Sequence, residues 1–143
     1  MALPDRTWFV DSSVLLRAIA DRSAAARDWF ESAYAAGDRF VGSRVLELEV
    51  LRVLKNAGLG TDVANEYLAE FTLIAVEDGL LDEAIALDVV LGGTDSLHIA
   101  AALRLGVNSA TVVTHDVQMA RAAASLGFTV FDPVTDDPNR GAA

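Results

Sequence analysis

The sequence predicts an α/β domain in which a mostly parallel sheet of four to five strands is covered by helices on both faces. Three observations predict it. Strand-like and helix-like segments alternate at a spacing of about 20–30 residues. The strand-like segments are continuous apolar runs rather than alternating ones, the pattern of strands buried on both sides. And 143 residues with a hydrophobic fraction of 52% and a mean hydropathy of +0.33 supply one domain with a core of its own.

The elements follow in order. RTWFVDSS (6–13) is a short apolar run that ends in an acid, a buried strand followed by a turn. SSVLLRAIAD (12–21) has helical spacing, with Val14, Leu15, Ala18 and Ile19 on one side. SAAARDWFESAYAAG (23–37) is a second helix with Ser23 as N-cap and Gly37 just past its end. DRFVGS (38–43) is a strand. SRVLELEVLRVLKNAG (43–58) is a helix capped by Ser43, with Leu46, Val50, Val53, Leu54 and Ala57 as its buried stripe. TDVANEYLAEF (61–71) is helical, TLIAVE (72–77) a strand, and DGLLDEAIALDVVL (78–91) a helix broken by Gly92-Gly93. TDSLHIAAALRLG (94–106) is a helix headed by Thr94 and stopped by Gly106. SATVVTHD (109–116) is a strand that ends in an acid, DVQMARAAASLG (116–127) a helix and FTVFD (128–132) a last strand. The domain spans 1–133. DPVTDDPNRGAA has two prolines and no apolar period, so 134–143 are expected to be a flexible tail.

Composition narrows the function. No window reaches about 18 consecutive apolar residues, so no membrane span is expected. The N-terminus, with an early acid and a short apolar run, does not read as a signal peptide. With no cysteine, disulfides and thiolate metal sites are excluded, and a reducing cytoplasm is the natural compartment. The net charge of −10 argues against a nucleic-acid partner taken alone, but a bound divalent cation reverses the local field. Ten of the eleven bases are Arg, the better bidentate phosphate ligand, though they are scattered.

In open parallel sheets, sites form outside the carboxyl ends of the strands. Asp11 and Asp116 stand at two such ends, Asp95 opens a helix, and Glu47 and Glu49 lie early in the helix after FVG. Each alone reads equally as a cap or a solvated face. Together, carboxylates at several helix starts in one layer can converge on one rim, where all-oxygen clusters suit Mg²⁺ or Mn²⁺. The dipole of its helix favours the ionised form of Asp95. Other chemistries fit poorly. The single lysine, Lys55, is mid-chain, Asp11 is followed by Ser12-Ser13 rather than by Asp-x-Asp, and neither a phosphate loop nor a G-x-S-x-G elbow is present. His98 and His115 have no partners at zinc spacing.

FVDSSVLL (9–16), SRVLELEVLRVL (43–54), TDSLHIAAAL (94–103) and VVTHDVQMARAAASLGFTVFDP (112–133) together resemble the PIN-domain family, and within it the VapC-like toxins of bacterial toxin–antitoxin pairs. The four stretches occur in the family's order across residues 9 to 133. The resemblance implies a three-layer α/β/α PIN-like fold and a metal-dependent endoribonuclease in which Asp11, Glu49, Asp95 and Asp116 hold Mg²⁺ or Mn²⁺. The family carries its helix acid six residues after the serine, which is Glu49; periodicity leaves Glu47 and Glu49 on opposite edges of the buried stripe, so Glu47 stays a second candidate, expected to face solvent. Ser13 and Thr114 are candidate hydroxyl donors to these carboxylates. His98, one turn beyond Asp95, is expected to be buried and hydrogen-bonded, and His115 exposed. Arg17, Arg44 and Arg121 lie near the motifs as candidate phosphate contacts, though each taken singly reads better as part of a solvated face. The resemblance further implies an RNA substrate, a cytoplasmic location, a homodimer and a small antitoxin of the VapB type laid into a hydrophobic groove. Trp8, Trp29, Phe30 and Tyr34 are candidates for core or groove, with Trp8 assigned to core. The same residues are compatible with a PIN-fold interaction module without turnover, or with a metal-dependent phosphatase or DNA nuclease on this scaffold.

Overall fold

In the computed structural model, which describes residues 6–134, five strands and seven helices follow one another along the chain. They are β1 (Thr7–Val10), α1 (Ser12–Ile19), α2 (Ala24–Ala35), β2 (Arg39–Ser43), α3 (Arg44–Asn56), α4 (Asp62–Leu68), β3 (Phe71–Ile74), α5 (Asp78–Ile85), α6 (Gly93–Leu105), β4 (Thr111–Val113), α7 (Val117–Ser125) and β5 (Thr129–Phe131). The strands form a single sheet in the order β3-β2-β1-β4-β5, and every pair is parallel. From β1 the chain builds outward to β2 and β3, then crosses back to lay β4 and β5 on the other side. The carboxyl ends of β1 and β4 therefore border the switch point, where α/β sheets bind ligands.

Strand residues alternate between two cores. Trp8, Val10, Phe40 and Val113 pack with α1, α2, α3 and α4; Phe9, Val41 and Val112 pack with α5, α6 and α7. This is the three-layer α/β/α arrangement expected, with both faces covered. Trp8 is core, its indole N–H donating to Asp38 Oδ2 at 2.8 Å and its ring meeting the edge of Trp29 at 5.4 Å. Ser23 and Ser43 cap α2 and α3 through Ala26 N and Val45 N, each at 3.2 Å. Between β2 and α3 the backbone approaches closely: a Cβ on Gly42 would stand 2.7 Å from Leu46 Cδ2, inside the packed core. No helix among the described residues is long and apolar enough to cross a membrane.

Several boundaries differ from the sequence reading. The helix expected over 78–91 ends at Ile85, where the Leu87 amide closes onto Ala84 O. Val89 and Val90 are β-branched and resist helix, yet Leu87 and Leu91 still reach the second core, so the apolar period is real but carried by irregular chain. The next helix is capped by Gly92 rather than headed by Thr94: Gly92 is extended, its carbonyl accepts from Ser96 N at 2.9 Å, and Thr94 lies exposed in the first turn. The helix over 61–71 stops at Leu68, because Phe71 enters the sheet and stacks on Phe40 at 5.5 Å. On α3, Val53 is 44% exposed and Ala57 is exposed; Val45 joins Leu46, Val50 and Leu54 in the buried set instead. Of the expected tail, Val134 is buried in the first core, and 135–143 lie outside the described residues, as do 1–5.

Leu46 is fully buried and Leu48 is 60% exposed on the same helix. Leu46→Ala should lower the unfolding free energy by about 2–5 kcal/mol, and Leu48→Ala by no more than about 0.5 kcal/mol. Urea denaturation of the two variants checks this; equal effects would mean that α3 turns a different face to the sheet.

Candidate active site

Asp11 follows the last residue of β1 and caps α1. Its amide donates to Val113 O at 2.9 Å, which continues the β1–β4 ladder and fixes the residue at the rim. Its side chain is buried, 4% exposed, and buried carboxylates need donors. Oδ1 accepts from Ser12 N at 2.8 Å; Oδ2 accepts from Ser13 Oγ at 2.8 Å and Thr114 Oγ1 at 2.9 Å. Each hydroxyl has one hydrogen, spent on Asp11, and each then accepts a backbone amide: Ser13 Oγ from His115 N at 2.9 Å, Thr114 Oγ1 from Asp116 N at 3.1 Å. Ser13 and Thr114, predicted as donors to the carboxylates, thus stitch the end of β1 to the turn that carries Asp116.

Asp116 caps α7, its Oδ1 accepting from Gln118 N at 2.8 Å and Met119 N at 3.1 Å. Glu49 projects from α3 to the same rim, where its Oε1 accepts from His98 Nε2 at 2.6 Å and from Ser12 Oγ at 3.3 Å. An ionised carboxylate only accepts, so this bond assigns the proton to Nε2. His98 is fully buried, its Nδ1 lies 3.2 Å from Ser43 Oγ, and its Nε2 is 3.8 Å from Asp11 Oδ1. Burial is the largest influence on the imidazole and works against its charged form. The hydrogen bond to Glu49 and the charges of Asp11, Glu49 and Asp95 together outweigh it, and the net direction is up from 6.5.

Asp95, in the first turn of α6, is also raised. Burial pushes its carboxyl up, and the charges of Asp11 and Asp116 push it further; His98 opposes, and Glu49 adds the least. The helix dipole, expected to favour the ionised form, is opposed there by burial and by the neighbouring acids. Glu49 and Asp11 both approach His98 Nε2, Asp116 is tied to Asp11 through Thr114 Oγ1, and Asp95 lies one turn before His98 on α6. No three of the described acidic or histidine side chains stand in ligand geometry about a common point; Asp11, Glu49 and Asp116 each accept hydrogen bonds from protein donors. Asp95 has no side-chain hydrogen bond among the described residues.

Glu47 points elsewhere and pairs with Arg44 Nη2 at 2.9 Å on the surface. Arg17 pairs with Asp21 at 3.4 Å, and Arg121 is exposed on α7. His115, expected to be exposed, is partly buried, with Nδ1 2.8 Å from Asp132 Oδ2 across the ends of β4 and β5. The sequence reading missed Ser12 as a donor to Glu49 and Ser43 as the partner of His98. The doubled hydroxyl after Asp11 was a usable signal for Ser12. Ser43 was legible only as a cap.

The pKa directions carry a stability sign. A folded-state histidine pKa raised above 6.5 contributes stability that is complete below 6.5 and is lost as pH rises through the folded value. The His98 ring resonances should therefore titrate above 6.5 by NMR and move down in Glu49→Gln, and the unfolding free energy of the metal-free protein should fall from about pH 6 upward, less steeply in that variant. A His98 titration below the ordinary value would contradict the arrangement.

The chain matches the family described as PIN domain over residues 8–125. It is 36% identical over 95 residues to "Ribonuclease VapC46" of Mycobacterium tuberculosis (strain ATCC 25618 / H37Rv), an alignment that covers 65% of this chain and 73% of that protein. Among solved structures it is similar to the complex described as VapBC2 from Rickettsia felis bound to a DNA fragment from their promoter, with a TM-score of 0.64 and 14% identity over 88% of this chain and 98% of that one. At that identity the likeness is one of fold, and it is the fold described above. The family match covers most of the chain and runs from the strand that precedes Asp11 through the helix capped by Asp116, and by it the chain belongs to the PIN-domain family.

Proposed function

We propose that this protein is a metal-dependent endoribonuclease that serves as the toxin of a toxin–antitoxin pair and cleaves RNA phosphodiesters with Mg²⁺ or Mn²⁺. What supports the reading is that Asp11, Glu49, Asp95 and Asp116, from four separate segments, influence one another electrostatically, Asp95 being lifted by burial and by the charges of the other three. The name ribonuclease on the 36% identical relative supports the reaction class. The donor set fits a hard divalent cation. Every candidate ligand atom is a carboxylate oxygen, like charges this close are costly without a countercharge, and Asp95 lacks a protein donor among the described residues.

Asp11, Asp95 and Asp116 are the residues that would hold the ion, with Glu49 completing the set or orienting the attacking water. The ion, when bound, acidifies water and neutralises phosphate charge as an in-line displacement develops. Ser13 and Thr114 keep Asp11 from swinging away, since both hold Oδ2. The first-turn amides of α7 hold one oxygen of Asp116. Glu49 keeps Oε1 on His98 and leaves Oε2 without a hydrogen bond among the described residues, so that oxygen is available to water. A chain of net charge −10 then meets a polyanion only where the cation reverses the local field.

A small antitoxin of the VapB type fits a second surface. Between α2, α4 and β3 lies a groove of about 550 Å³ floored by Phe30, Tyr34, Tyr67 and Phe71 and edged by Glu31, Glu66 and Glu70. An apolar floor with an acidic edge suits an amphipathic, basic segment. The naming of the structural neighbour as a VapBC2 complex supports this class of partner. Leu48, Val53 and Val76 leave apolar surface open around α3, which a second copy would cover; sedimentation reading a mass of about twice the 15.1 kDa chain tests the homodimer. An RNA substrate and a chain without cysteine fit a cytoplasmic location.

Antitoxin-free protein should cleave RNA only with Mg²⁺ or Mn²⁺, and Asp11→Asn should slow cleavage by more than about 100-fold. Adding the product of a short neighbouring reading frame should suppress the activity. Cleavage unaffected by chelator, or by Asp11→Asn, overturns the mechanism. In thermal unfolding, Asp95→Asn should raise the midpoint without divalent ions, because it removes one charge from the cluster, and should lose most of the rise that saturating Mn²⁺ gives the wild type. A wild-type midpoint indifferent to Mn²⁺ would contradict the proposed site.

A further inference from the structure

We infer that Ser43 and His98 form a buried prop that sets the orientation of Glu49, so that both are positioning residues of the rim site. The inference rests on the metal-dependent nuclease reading and adds to it a role for two side chains that touch neither water nor substrate. Ser43 ends β2, His98 belongs to the layer of α5, α6 and α7, and Glu49 belongs to the layer on the opposite face of the sheet. The line from Ser43 Oγ to His98 Nδ1 (3.2 Å) and from His98 Nε2 to Glu49 Oε1 (2.6 Å) therefore ties the two helical layers together at the rim.

Ser43 and His98 are each 0% exposed, so water cannot take the place of either partner. The Ser43 hydroxyl already accepts from Val45 N at 3.2 Å. It keeps one hydrogen and one lone pair, enough to donate to Nδ1 or to accept from it. The prop therefore holds whichever protonation state the ring adopts. A partly exposed glutamate on a helix otherwise samples several rotamers, an entropy that a metal or a water would have to remove. The 2.6 Å bond removes it in advance, with Ser12 Oγ as a second hold on the same oxygen at 3.3 Å. Outer partners of this type commonly matter about 10–100-fold to metal affinity or activity.

Two substitutions separate positioning from packing. The amide nitrogen of Gln stands near the place of Nε2, and that of Asn near the place of Nδ1. Both variants lose the ring and are expected to lose similar thermal stability, but only His98→Gln can still donate to Glu49. Mn²⁺ affinity by calorimetry should be about 10–100-fold weaker in His98→Asn and should recover to within about threefold of wild type in His98→Gln, with kcat rather than KM of RNA cleavage following the same order. Glu49→Gln should weaken Mn²⁺ binding less when added to His98→Asn than it does alone, since His98 acts through Glu49. Equal affinities in the Asn and Gln variants, whether both are lost or both kept, overturn the prop while the nuclease reading stands. A wild type that binds no Mn²⁺ and cleaves no RNA overturns both.

Discussion

The backbone of Asp11 bears the constraint from which the rest of the site follows. Its amide pairs with Val113 O one step beyond the last residue of β1, so the carboxylate is placed by the sheet itself and not by a loop. Ser13 and Thr114 then satisfy its Oδ2, and the same two hydroxyls take the amides of His115 and Asp116. A single hydrogen-bonded knot thus fixes the first acid, the turn after β4 and the start of α7. Removing either hydroxyl would leave the buried Asp11 carboxylate one donor short, a loss of about 1–3 kcal/mol, and would also free a partly buried amide.

The two helical layers contribute unequally to this rim. The first, α1 to α4, packs aromatic and branched side chains against the sheet; the second relies on the alanines of α6 and α7. Residues 98–102 of α6 are all buried, a stretch of helix that has no solvent face. That enclosure is why an imidazole can sit there at all. His98 is excluded from water, and every partner it needs comes from the opposite layer or from the end of β2. Small side chains let α6 approach closely enough for the contact, and the acids at its head and across the rim supply the charge that keeps the ring from being a buried liability.

Much of the fold was legible because its signals are local. Continuous apolar runs marked β1, β2 and β4, hydroxyl caps marked Ser23 and Ser43, and glycines of positive φ at 37, 106 and 127 marked helix ends. The misplaced boundaries lie where tertiary packing overrode pattern: Phe71 left its helix for a place beside Phe40, and the apolar period of 78–91 outlasted the helix because Leu87 and Leu91 pack without being helical. In the site, Asp11 and Asp116 could be located from strand ends alone. Glu47 and Glu49 could not be told apart by period, since each flanks the buried stripe. The distinction is made by a residue 49 positions further on, His98, which meets Glu49 and leaves Glu47 to Arg44.

Asp95 and His98 are both raised, and the sign of that shift bears on what the rim is built to hold. A group raised in the folded state binds more protons there than in the unfolded chain, so protonation of this cluster stabilises the fold. For Asp95 the preference comes first from burial and then from the charges of Asp11 and Asp116; for His98 it comes from the hydrogen bond to Glu49 and the neighbouring acids. A proton answers one carboxylate at a time. A divalent cation answers several at once and, on the nuclease reading, also leaves a face for phosphate. On the nuclease reading the two would compete for the same oxygens, and the ion's affinity would weaken as pH falls and protons fill the cluster.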